Sequence, residues 1–574
     1  MIRKRPAPAA LLPVVKLAVA SWPGLLASPA KAVLEKILPG YIRERRWFGG
    51  KARSVTGLKI SGSVPLGGGS MLALLAVSYS RGARQTYVLP LAWKEETAAL
   101  KAVKGFPGAA IARLELGGKR GLLYDAVYDE FFQKALLSLF LGRSRPCRGP
   151  LRLVAERNMK ALKKAALKRG LRPRVLKGEQ SNTSIIYGAE YFFKLFRRLE
   201  NGLNPDVEIT ARLTERGEFR NMPPYIGSVS LHRGGRSRGV VGLLQGYSPA
   251  PGDSWSYALG QVNGYYKRVL ARPPGGGPVP LLPDPIDPAP HGVPLRLKEL
   301  IGGTCLEMIS LLGRRTAEMH LALASAGSDP DFRPVLFSRR SRNSVYLSMR
   351  EQASSSLRLL TRKLKDLPRA ARPDAGLVLR GKRAVAEAFG GVMEGKASFK
   401  EIRVHGDFHL GQVLFTGRDF VIIDFEGEPA KPAAERRLKR CALRDVAGML
   451  RSFHYAAWAP FLLHNNFSPG DRKRLGPWAE FWCSCVSGAY LRSYFRAAAG
   501  AAFLPAGARE TASLLRAFVM EKAVYELSYE LNNRPAWVGI PLKGLLRSIR
   551  PGTGAGKAGI RLRSLARGEH KRCR

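Results

Sequence analysis

One stretch of the chain, HGDFHLGQVLFTGRDFVIIDFEGEP from His405 to Pro429, concentrates side chains that can do chemistry. Histidine, aspartate, glutamine and glutamate residues flank two short apolar runs. Carboxylate and amide oxygens are the ligands that Mg²⁺ prefers, and a positioned carboxylate can also accept a proton. The stretch therefore predicts a site for metal-assisted chemistry or proton transfer.

A β-hairpin is the element that would position these residues. The runs VLF (413–415) and FVIID (420–424) have strand composition, and TGRD (416–419) between them has turn composition. A hairpin brings its two open ends together, so Gln412 and Asp424 are expected side by side. Neighbouring strands lie about 5 Å apart, which allows both side chains to reach one ion.

Three interpretations of this stretch are open at the level of residue types. The predicted magnesium ligands are Gln412, Asp424 and Glu426. Zinc is a rival because His405 and His409 are spaced as in HExxH, but Gly406 replaces the glutamate and a glycine-containing loop replaces the helix. A surface hairpin with solvated acids is the third interpretation.

Phosphoryl transfer needs a set of this kind, because the reaction depends on positioning and charge neutralisation. Protein kinases carry H-x-D-x-x-x-x-N followed by D-F-G. Here His405, Asp407 and Gln412 keep the first spacing, with glutamine for asparagine, and DFEG begins at Asp424. Asp407 is the predicted general base for the attacking hydroxyl.

Composition limits the other function classes. The 574 residues include 94 basic and 44 acidic ones, a formal net charge of +50, which raises a nucleic-acid hypothesis. The basic residues are spread along the whole chain, so nucleic acid is not the expected partner, although such a surface attracts anions such as nucleotides. The six cysteines show no CxxC pairing, and no long uncharged apolar run predicts a membrane span. We expect a cytoplasmic protein.

Several ordered motifs resemble the bacterial maltokinases, which stand alone or form the C-terminal part of trehalose synthase–maltokinase fusions. The motifs are RWFGGKAR, GEQSNTS, LGRRTAEMHLALA, HGDFHLGQVL, DFEGEP, LRDVAGMLRSFHYAA and YELSYELNNRPAWVGIPLKGL. The similarity runs from about residue 38 to 548.

The resemblance implies an α+β, bilobal, eukaryotic-kinase-like fold similar to the aminoglycoside phosphotransferases, with an N-terminal cap subdomain. The domain boundaries that we predict are 1–40 for an N-terminal extension, 41–149 for the cap subdomain, 150–248 for the kinase N-lobe, 249–548 for a helical C-lobe with the hairpin and the acceptor site, and 549–574 for a basic flexible tail.

The activity implied by the resemblance is ATP-dependent phosphorylation of maltose at its anomeric hydroxyl. The product, maltose 1-phosphate, would feed α-glucan and glycogen synthesis from trehalose. ATP and Mg²⁺ are the implied cofactors, maltose is the substrate, and a trehalose synthase is an implied partner. The alternatives are another small-molecule kinase of the aminoglycoside or choline kinase type, a non-catalytic kinase-like binding protein, and a nucleic-acid binder.

The similarity to kinases predicts which residues contact ATP. Lys194, in the middle of a predicted strand, is expected to hold the ATP phosphates with Glu208 as its partner, although a lone strand lysine is often only solvated. Asn204 and Pro205 predict the start of the helix that carries Glu208, whose position also suits the helix dipole. The remaining predicted contacts are Ser181, Asn182 and Thr183 in a phosphate-covering loop, and Gln245 and Tyr247 in the segment that meets the adenine.

The predicted binding site for maltose lies on one face of a predicted helix, and the opposite face is predicted to be buried. Met520, Val524, Leu527 and Leu531 recur at helical spacing as a buried stripe. The other face carries the predicted maltose contacts Lys522, Tyr525, Glu526 and Tyr529, to which we add His405. An ordinary solvated face with buried tyrosines is the alternative, and the maltokinase resemblance favours the acceptor site.

Overall fold

The structure is a computed structural model. It describes residues 12–17, 19, 21–51, 53–142, 150–162, 171–176, 181–273, 279, 284, 286, 295–325, 329–394, 399–463 and 467–549. The chain divides into two units, Met1–Pro249 with Pro429–Arg436, and Ala250–Glu428 with Arg437–Arg574. The predicted tail lies outside the described residues apart from Ile549. Within the described ranges, no helix is long and apolar enough to cross a bilayer.

The first unit is rich in strands. Its elements up to residue 142 are β1 (Val14–Leu17), α1 (Trp22–Ala27), α2 (Ala32–Glu44), β2 (Val55–Leu66), β3 (Ser70–Tyr79), β4 (Gln85–Glu95), α3 (Glu96–Ala102), β5 (Ala110–Leu116), β6 (Lys119–Asp125) and α4 (Glu130–Phe140). They are followed by β7 (Leu151–Arg157), α5 (Met159–Leu162), β8 (Pro173–Val175), β9 (Asn182–Tyr187), β10 (Tyr191–Phe196), β11 (Arg198–Leu199), α6 (Pro205–Arg216), β12 (Tyr225–Arg233) and β13 (Arg236–Gly246).

Seven strands form the first sheet, in the order β1-β5-β6-β4-β3-β2, with β11 also pairing β4. Strand β3 is buried on both faces: Leu72 and Leu74 pack with α4, and Ala73 and Leu75 pack with α1 and α2. Residue 40 lies inside α2, and β1 pairs in parallel with β5, so residues 14–17 belong to this sheet.

The second sheet positions the predicted nucleotide-side residues. Its order is β7-β12-β13-β10-β9-β8. Lys194 lies in the middle of β10, opposite Ser184 of β9 and Leu243 of β13. Helix α6 begins as predicted, because the Asn204 side chain accepts the N–H of Asp206 at 2.8 Å and Pro205 occupies the first turn.

The second unit is mainly helical. Its chain contains β14 (Gly252–Asp253), α7 (Ser254–Leu270), α8 (Leu295–Ile301), α9 (Gly303–Ala324), β15 (Val335–Leu336), α10 (Arg339–Lys363), α11 (Arg372–Arg380), α12 (Lys382–Glu387), β16 (Lys400–Glu401), β17 (Val413–Phe415) and β18 (Phe420–Ile422). After α13 (Ala433–Arg436), whose segment groups with the first unit, come α14 (Leu443–Trp458), α15 (Pro460–Leu463), α16 (Pro469–Ala497), α17 (Ala508–Asn533) and α18 (Gly539–Ile549).

Helix α17 carries the predicted acceptor face and packs against α10, α14 and α18. The predicted stripe is confirmed, since Met520, Val524, Leu527 and Leu531 are all almost completely buried. The four described cysteines, Cys305, Cys441, Cys483 and Cys485, are buried and free.

Candidate active site

The hairpin has the predicted form. Val413 pairs with Ile422 and Phe415 with Phe420, and the turn closes where the Thr416 N–H donates to the Asp419 carbonyl. At the open end, the side-chain amide of Gln412 donates to Oδ2 of Asp424 at 2.7 Å. The contact predicted from the strand spacing is therefore present.

Asp424 has an unusual backbone. Its φ is +68°, and it is the only non-glycine residue of the described chain with a positive φ. This left-handed conformation is unfavourable for a residue with a Cβ, although aspartate tolerates it better than most. Strained backbone concentrates at functional sites, where the surrounding structure imposes it. The strain thus falls on a residue that the sequence selected as a metal ligand.

Asp407 lies in a charged environment. Its Oδ1 is 3.2 Å from Nζ of Lys522, and its Oδ2 is 4.0 Å from Nε2 of His409. Burial acts to raise the pKa of Asp407, but Lys522 and His409 outweigh it, and the pKa lies below the usual aspartate value. Asp407 is consequently ionised at neutral pH, as a proton acceptor must be.

A buried aspartate holds the loop before Asp407. Asp445, at the start of α14, accepts the backbone N–H groups of His405 at 2.7 Å and Gly406 at 3.0 Å. It also contacts Nε2 of His320 at 3.2 Å. These contacts fix the position from which the Asp407 side chain projects.

The predicted maltose contact of His405 needs correction. The ring is 1% exposed, its Nε2 donates to the Ile423 carbonyl at 2.9 Å, and its Nδ1 accepts the N–H of Asp407 at 3.4 Å. Both ring nitrogens are thus used inside the protein, between the rings of Phe408 and Phe425. His405 braces the loop that carries Asp407 against the hairpin.

The other predicted acceptor residues share one face of α17. The rings of Tyr525 and Tyr529 are stacked with centroids 6.5 Å apart, and Nζ of Lys522 lies 4.9 Å from the centroid of Tyr525. Tyr529 is 45% exposed, so an aromatic surface is open to solvent beside the Asp407–Lys522 pair. Glu428, after the hairpin, accepts a hydrogen bond from the Tyr525 hydroxyl.

Glu526 also joins α17 to a neighbouring helix. Its Oε2 accepts from Nε and Nη2 of Arg451 on α14, at 2.9 and 2.6 Å. This charge-assisted contact fixes the orientation of the carboxylate. It uses only Oε2, and the contact of Glu526 with a sugar stays a prediction.

The sequence argument missed a second ion pair next to this face. Glu530 is buried and accepts from Arg534 at 2.6 Å and from the Tyr455 hydroxyl at 3.1 Å. The Arg534 guanidinium also lies over the rings of Tyr529 and Trp537. Glu530 continues the spacing of Lys522 and Glu526 by four residues, and that periodicity could have identified it.

On the nucleotide side, the carboxylate that the structure brings to Lys194 is Asp206. The two side chains are buried, and Nζ lies 2.5 Å from Oδ2. The contact with Asp206 was not predicted, because it depends on how α6 packs on the sheet and on which direction each helical side chain takes. Glu208 is half-buried, and a role for it stays a prediction.

Thr183 also differs from its predicted role. Its side chain is fully buried, and its Oγ1 accepts from Nε of Arg197 at 2.8 Å, so it is not available to cover a phosphate. Ser181 is exposed and Asn182 is half-buried at the start of β9. Residues 177–180 of the predicted loop lie outside the described residues.

Gln245 and Tyr247 lie at the end of β13 and just beyond it. Gln245 is 4% exposed, and its buried Nε2 has no hydrogen-bond partner in the part of the chain that is described. An orphaned buried amide is costly and indicates a missing partner. The N–H of Tyr247 is occupied by the Glu190 carbonyl at 2.8 Å.

The donor set of the hairpin fits a magnesium ion that is completed by phosphate. The side-chain amide of Gln412 contacts the Asp424 carboxylate through its nitrogen, and Glu426 is half-buried two residues further on. Among the described residues, no three His, Cys, Asp or Glu side chains form a metal-binding cluster. Zinc held by His405 and His409 does not fit the structure, because both ring nitrogens of His405 are engaged inside the protein.

Comparison with known proteins identifies the class. Residues 41–129 match the family described as the maltokinase N-terminal cap domain. A glucosamine kinase of Mycolicibacterium smegmatis (strain ATCC 700084 / mc(2)155) is 25% identical over 67% of this chain and 81% of its own length. A glucosamine kinase of Streptacidiphilus jiangxiensis is 24% identical over 63% of this chain and 70% of its own length.

A solved structure of a glucosamine kinase (crystal form B) has the same fold. Its TM-score is 0.56 at 19% identity, and the match covers 88% of this chain and 98% of the other. The predicted fold class is confirmed: the chain has a kinase-like α+β fold. The match of residues 41–129 to the maltokinase cap domain confirms the predicted resemblance to the maltokinases over that segment.

Proposed function

We propose that this protein transfers the γ-phosphoryl group of ATP to the anomeric hydroxyl of maltose. One observation carries the proposal: an ionised Asp407 is paired with Lys522 at 3.2 Å, on a helix face that exposes stacked tyrosine rings. Aromatic rings bind the apolar faces of sugars, and the carboxylate beside them can accept a hydroxyl proton. The maltokinase cap domain at 41–129 supports maltose as the sugar.

The reaction needs one proton acceptor and a clamp for the phosphates. A bond forms between the acceptor oxygen and the γ-phosphorus, the bond to the β,γ-bridging oxygen breaks, and ADP leaves. Asp407 takes the proton of the hydroxyl, while Lys522 keeps the carboxylate ionised and oriented. General-base assistance of this kind contributes about 10²–10⁴-fold to the rate. A bound Mg²⁺ would neutralise phosphate charge, and Gln412, Asp424 and Glu426 would hold it.

The nucleotide side rests on the first unit. Lys194, oriented by its buried pair with Asp206, would bind the phosphates of ATP. The buried Nε2 of Gln245 offers an unused donor that an adenine nitrogen could satisfy. Ser181 and Asn182 remain candidates for phosphate contacts at the start of β9. A solved glucosamine kinase in complex with ADP supports the choice of nucleotide, and its fold is shared at a TM-score of 0.54.

Glucosamine is the second candidate acceptor, because the two relatives described above are glucosamine kinases. An aminosugar carries a positive charge and favours a site with an available carboxylate. On this face Asp407 pairs with Lys522, Glu526 with Arg451 and Glu530 with Arg534, whereas Glu428 contacts the Tyr525 hydroxyl. The three ion pairs favour a neutral acceptor, and the cap-domain match favours maltose among the neutral sugars.

A panel assay tests the choice. Purified protein is incubated with ATP, Mg²⁺ and either maltose, glucose, glucosamine, a longer maltodextrin or an aminoglycoside, and ADP release is followed. We expect maltose to give the highest kcat/KM and ³¹P NMR to place the phosphate on the anomeric carbon. Preference for glucosamine would replace maltose in the proposal. Phosphate transfer to none of them would favour a non-catalytic binding protein.

In the cell, we infer a role in the cytoplasm, where maltose 1-phosphate would be consumed in α-glucan synthesis from trehalose. A trehalose synthase would supply the maltose. Co-purification of such an enzyme with the tagged protein tests whether the two associate.

A further inference from the structure

His409 has no role in the proposed reaction, yet its ring lies between two groups that the reaction needs. It is the residue before the short 3₁₀ turn Leu410–Gln412, and it has an extended backbone. The turn ends on Gln412, the amide that contacts Asp424. Two residues before His409 is Asp407, the proton acceptor of the proposed function.

One nitrogen of the ring supports the turn. Nδ1 of His409 accepts the backbone N–H of Gly411 at 3.1 Å, as the side chain of a cap does. The ring lies so close that a Cβ on Gly411 would be 3.0 Å from Cε1 of His409. The backbone carbonyl of His409 also accepts the N–H of Gln412 at 2.9 Å. The conformation of the turn that delivers Gln412 is thus tied to this histidine.

The other nitrogen faces the proton acceptor. Because Nδ1 is an acceptor, the neutral ring carries its proton on Nε2. Nε2 lies 4.0 Å from Oδ2 of Asp407, while Lys522 contacts the other oxygen, Oδ1. This distance exceeds a hydrogen bond, and catalytic hydrogen bonds are often long in a ligand-free site and shorten in the complex. Lys522 thus donates to Oδ1, and Nε2 of His409 is the group that lies nearest on the side of Oδ2.

We propose that His409 is a positioning residue that holds the Asp407 carboxylate and the Gln412 turn in one geometry. Nε2–H orients Oδ2 of Asp407, and Nδ1 fixes the turn that presents the Gln412 amide. The inference rests on the proposed function, since it takes Asp407 as the base. It predicts that loss of the Nε2 contact lowers turnover, and that loss of the Nδ1 contact weakens binding of the metal–nucleotide complex.

Two substitutions separate the nitrogens. His409→Asn retains an oxygen close to the Nδ1 position, which can accept the Gly411 N–H, but has nothing at the Nε2 position. His409→Gln reaches the Nε2 position with an amide N–H but has no acceptor for Gly411. The matched control is His232→Asn on β12, a histidine outside every proposed site.

The experiment measures kcat for maltose and, by titration calorimetry, the Kd of Mg²⁺ with a non-hydrolysable ATP analogue. We expect His409→Asn to lower kcat about tenfold with a Kd within about twofold of wild type. We expect His409→Gln to weaken Kd about fivefold or more while keeping most of kcat at saturation. Thermal unfolding checks that both variants are folded.

Two results would overturn the inference: wild-type kcat in His409→Asn, or the same profile of kcat and Kd in both variants. A purely structural role predicts the second result, with a parallel loss of Tm. If the wild-type protein does not phosphorylate maltose, the proposed function fails on its own. The calorimetric titration then still tests the inference. Equal Kd values for Mg²⁺ with the ATP analogue in His409→Asn and His409→Gln would disprove a separate role for the two nitrogens.

Discussion

The two carboxylate oxygens of Asp445 bind the backbone N–H groups of His405 and its neighbour, at 2.7 and 3.0 Å. This relationship joins a helix start to the loop that carries the proton acceptor, 40 residues earlier in the chain. Burial acts to raise the pKa of Asp445, but His320 and the backbone donors outweigh it and lower the pKa below its usual value. The loop is thus anchored by a charged group in the protein interior.

Removing that charge should affect both stability and turnover. In Asp445→Asn, an amide N–H₂ replaces one accepting oxygen and meets a backbone donor. We expect the free energy of unfolding to fall by about 2–3 kcal/mol, because buried donors lose their acceptor. We expect kcat to fall at least about tenfold, since the loop positions Asp407. Urea unfolding and steady-state kinetics measure the two effects.

A surface acid provides the control for Asp445. Glu387 on α12 forms an exposed pair with Arg383, so Glu387→Gln should change the unfolding free energy by less than about 0.5 kcal/mol. Equal stability of Asp445→Asn and the wild type would contradict an anchoring role.

Asp407→Asn tests the base directly. The substitution keeps the size of the side chain and removes its ability to accept a proton, so kcat should fall by about 10²–10⁴-fold while the Kd for ATP changes little. Asp366→Asn is a suitable control, because Asp366 is exposed and lies outside the proposed site. Wild-type turnover in Asp407→Asn would rule out the proposed mechanism.

Lys522 should set the pH dependence of the reaction. Its ammonium group lowers the pKa of Asp407, so the ionised base persists to lower pH than it would alone. Lys522→Met removes this effect, and the acid limb of the kcat/KM profile should move to higher pH. Lys522→Arg retains the charge and should keep the limb near its original position. The measurement is a pH–rate profile with maltose, together with the KM values for maltose and ATP.

The acid limb of the kcat/KM profile distinguishes an electrostatic effect of Lys522 on Asp407 from a direct contact of Lys522 with maltose. A side chain that contacts only the sugar would raise the maltose KM in Lys522→Met without moving the limb. An unchanged limb would therefore remove the electrostatic role and leave the contact with maltose.

Gly544 should be intolerant of a methyl group. A Cβ at this position of α18 would overlap the Arg451 guanidinium, which binds Glu526 on α17. Gly544→Ala should lower the free energy of unfolding by about 1–3 kcal/mol, although alanine has the higher helix propensity. Gly260→Ala on α7 is the matched control, because nothing lies within 4 Å of its added Cβ.

Chemical denaturation distinguishes the two glycines. Gly260→Ala should be neutral or stabilising by up to about 1 kcal/mol, as expected for a helix interior. The close approach of Arg451 to α18 would be disproved if the two variants were equally stable.

Local periodicity was sufficient for several features. The alternation of strand and turn residues predicted the hairpin and the contact of Gln412 with Asp424, because both depend on residues within one short segment. The buried stripe of α17 and the N-terminal cap of α6 were predicted for the same reason. The fold class was predicted from the motifs that resemble the maltokinases. The periodicity of apolar residues could not have predicted it.

Long-range packing decided the partners of the charged residues. The contact of Asp206 with Lys194 was not predicted, because it depends on how α6 packs on the sheet. Thr183 contacts the Arg197 side chain, and His405 contacts the Ile423 carbonyl, so both are engaged by groups more than ten residues away. The sequence by itself determined which residue types the site contains. Only the tertiary structure decided which of them are engaged in the protein interior and which remain exposed to a substrate, because burial and ion pairing arise from contacts between distant segments.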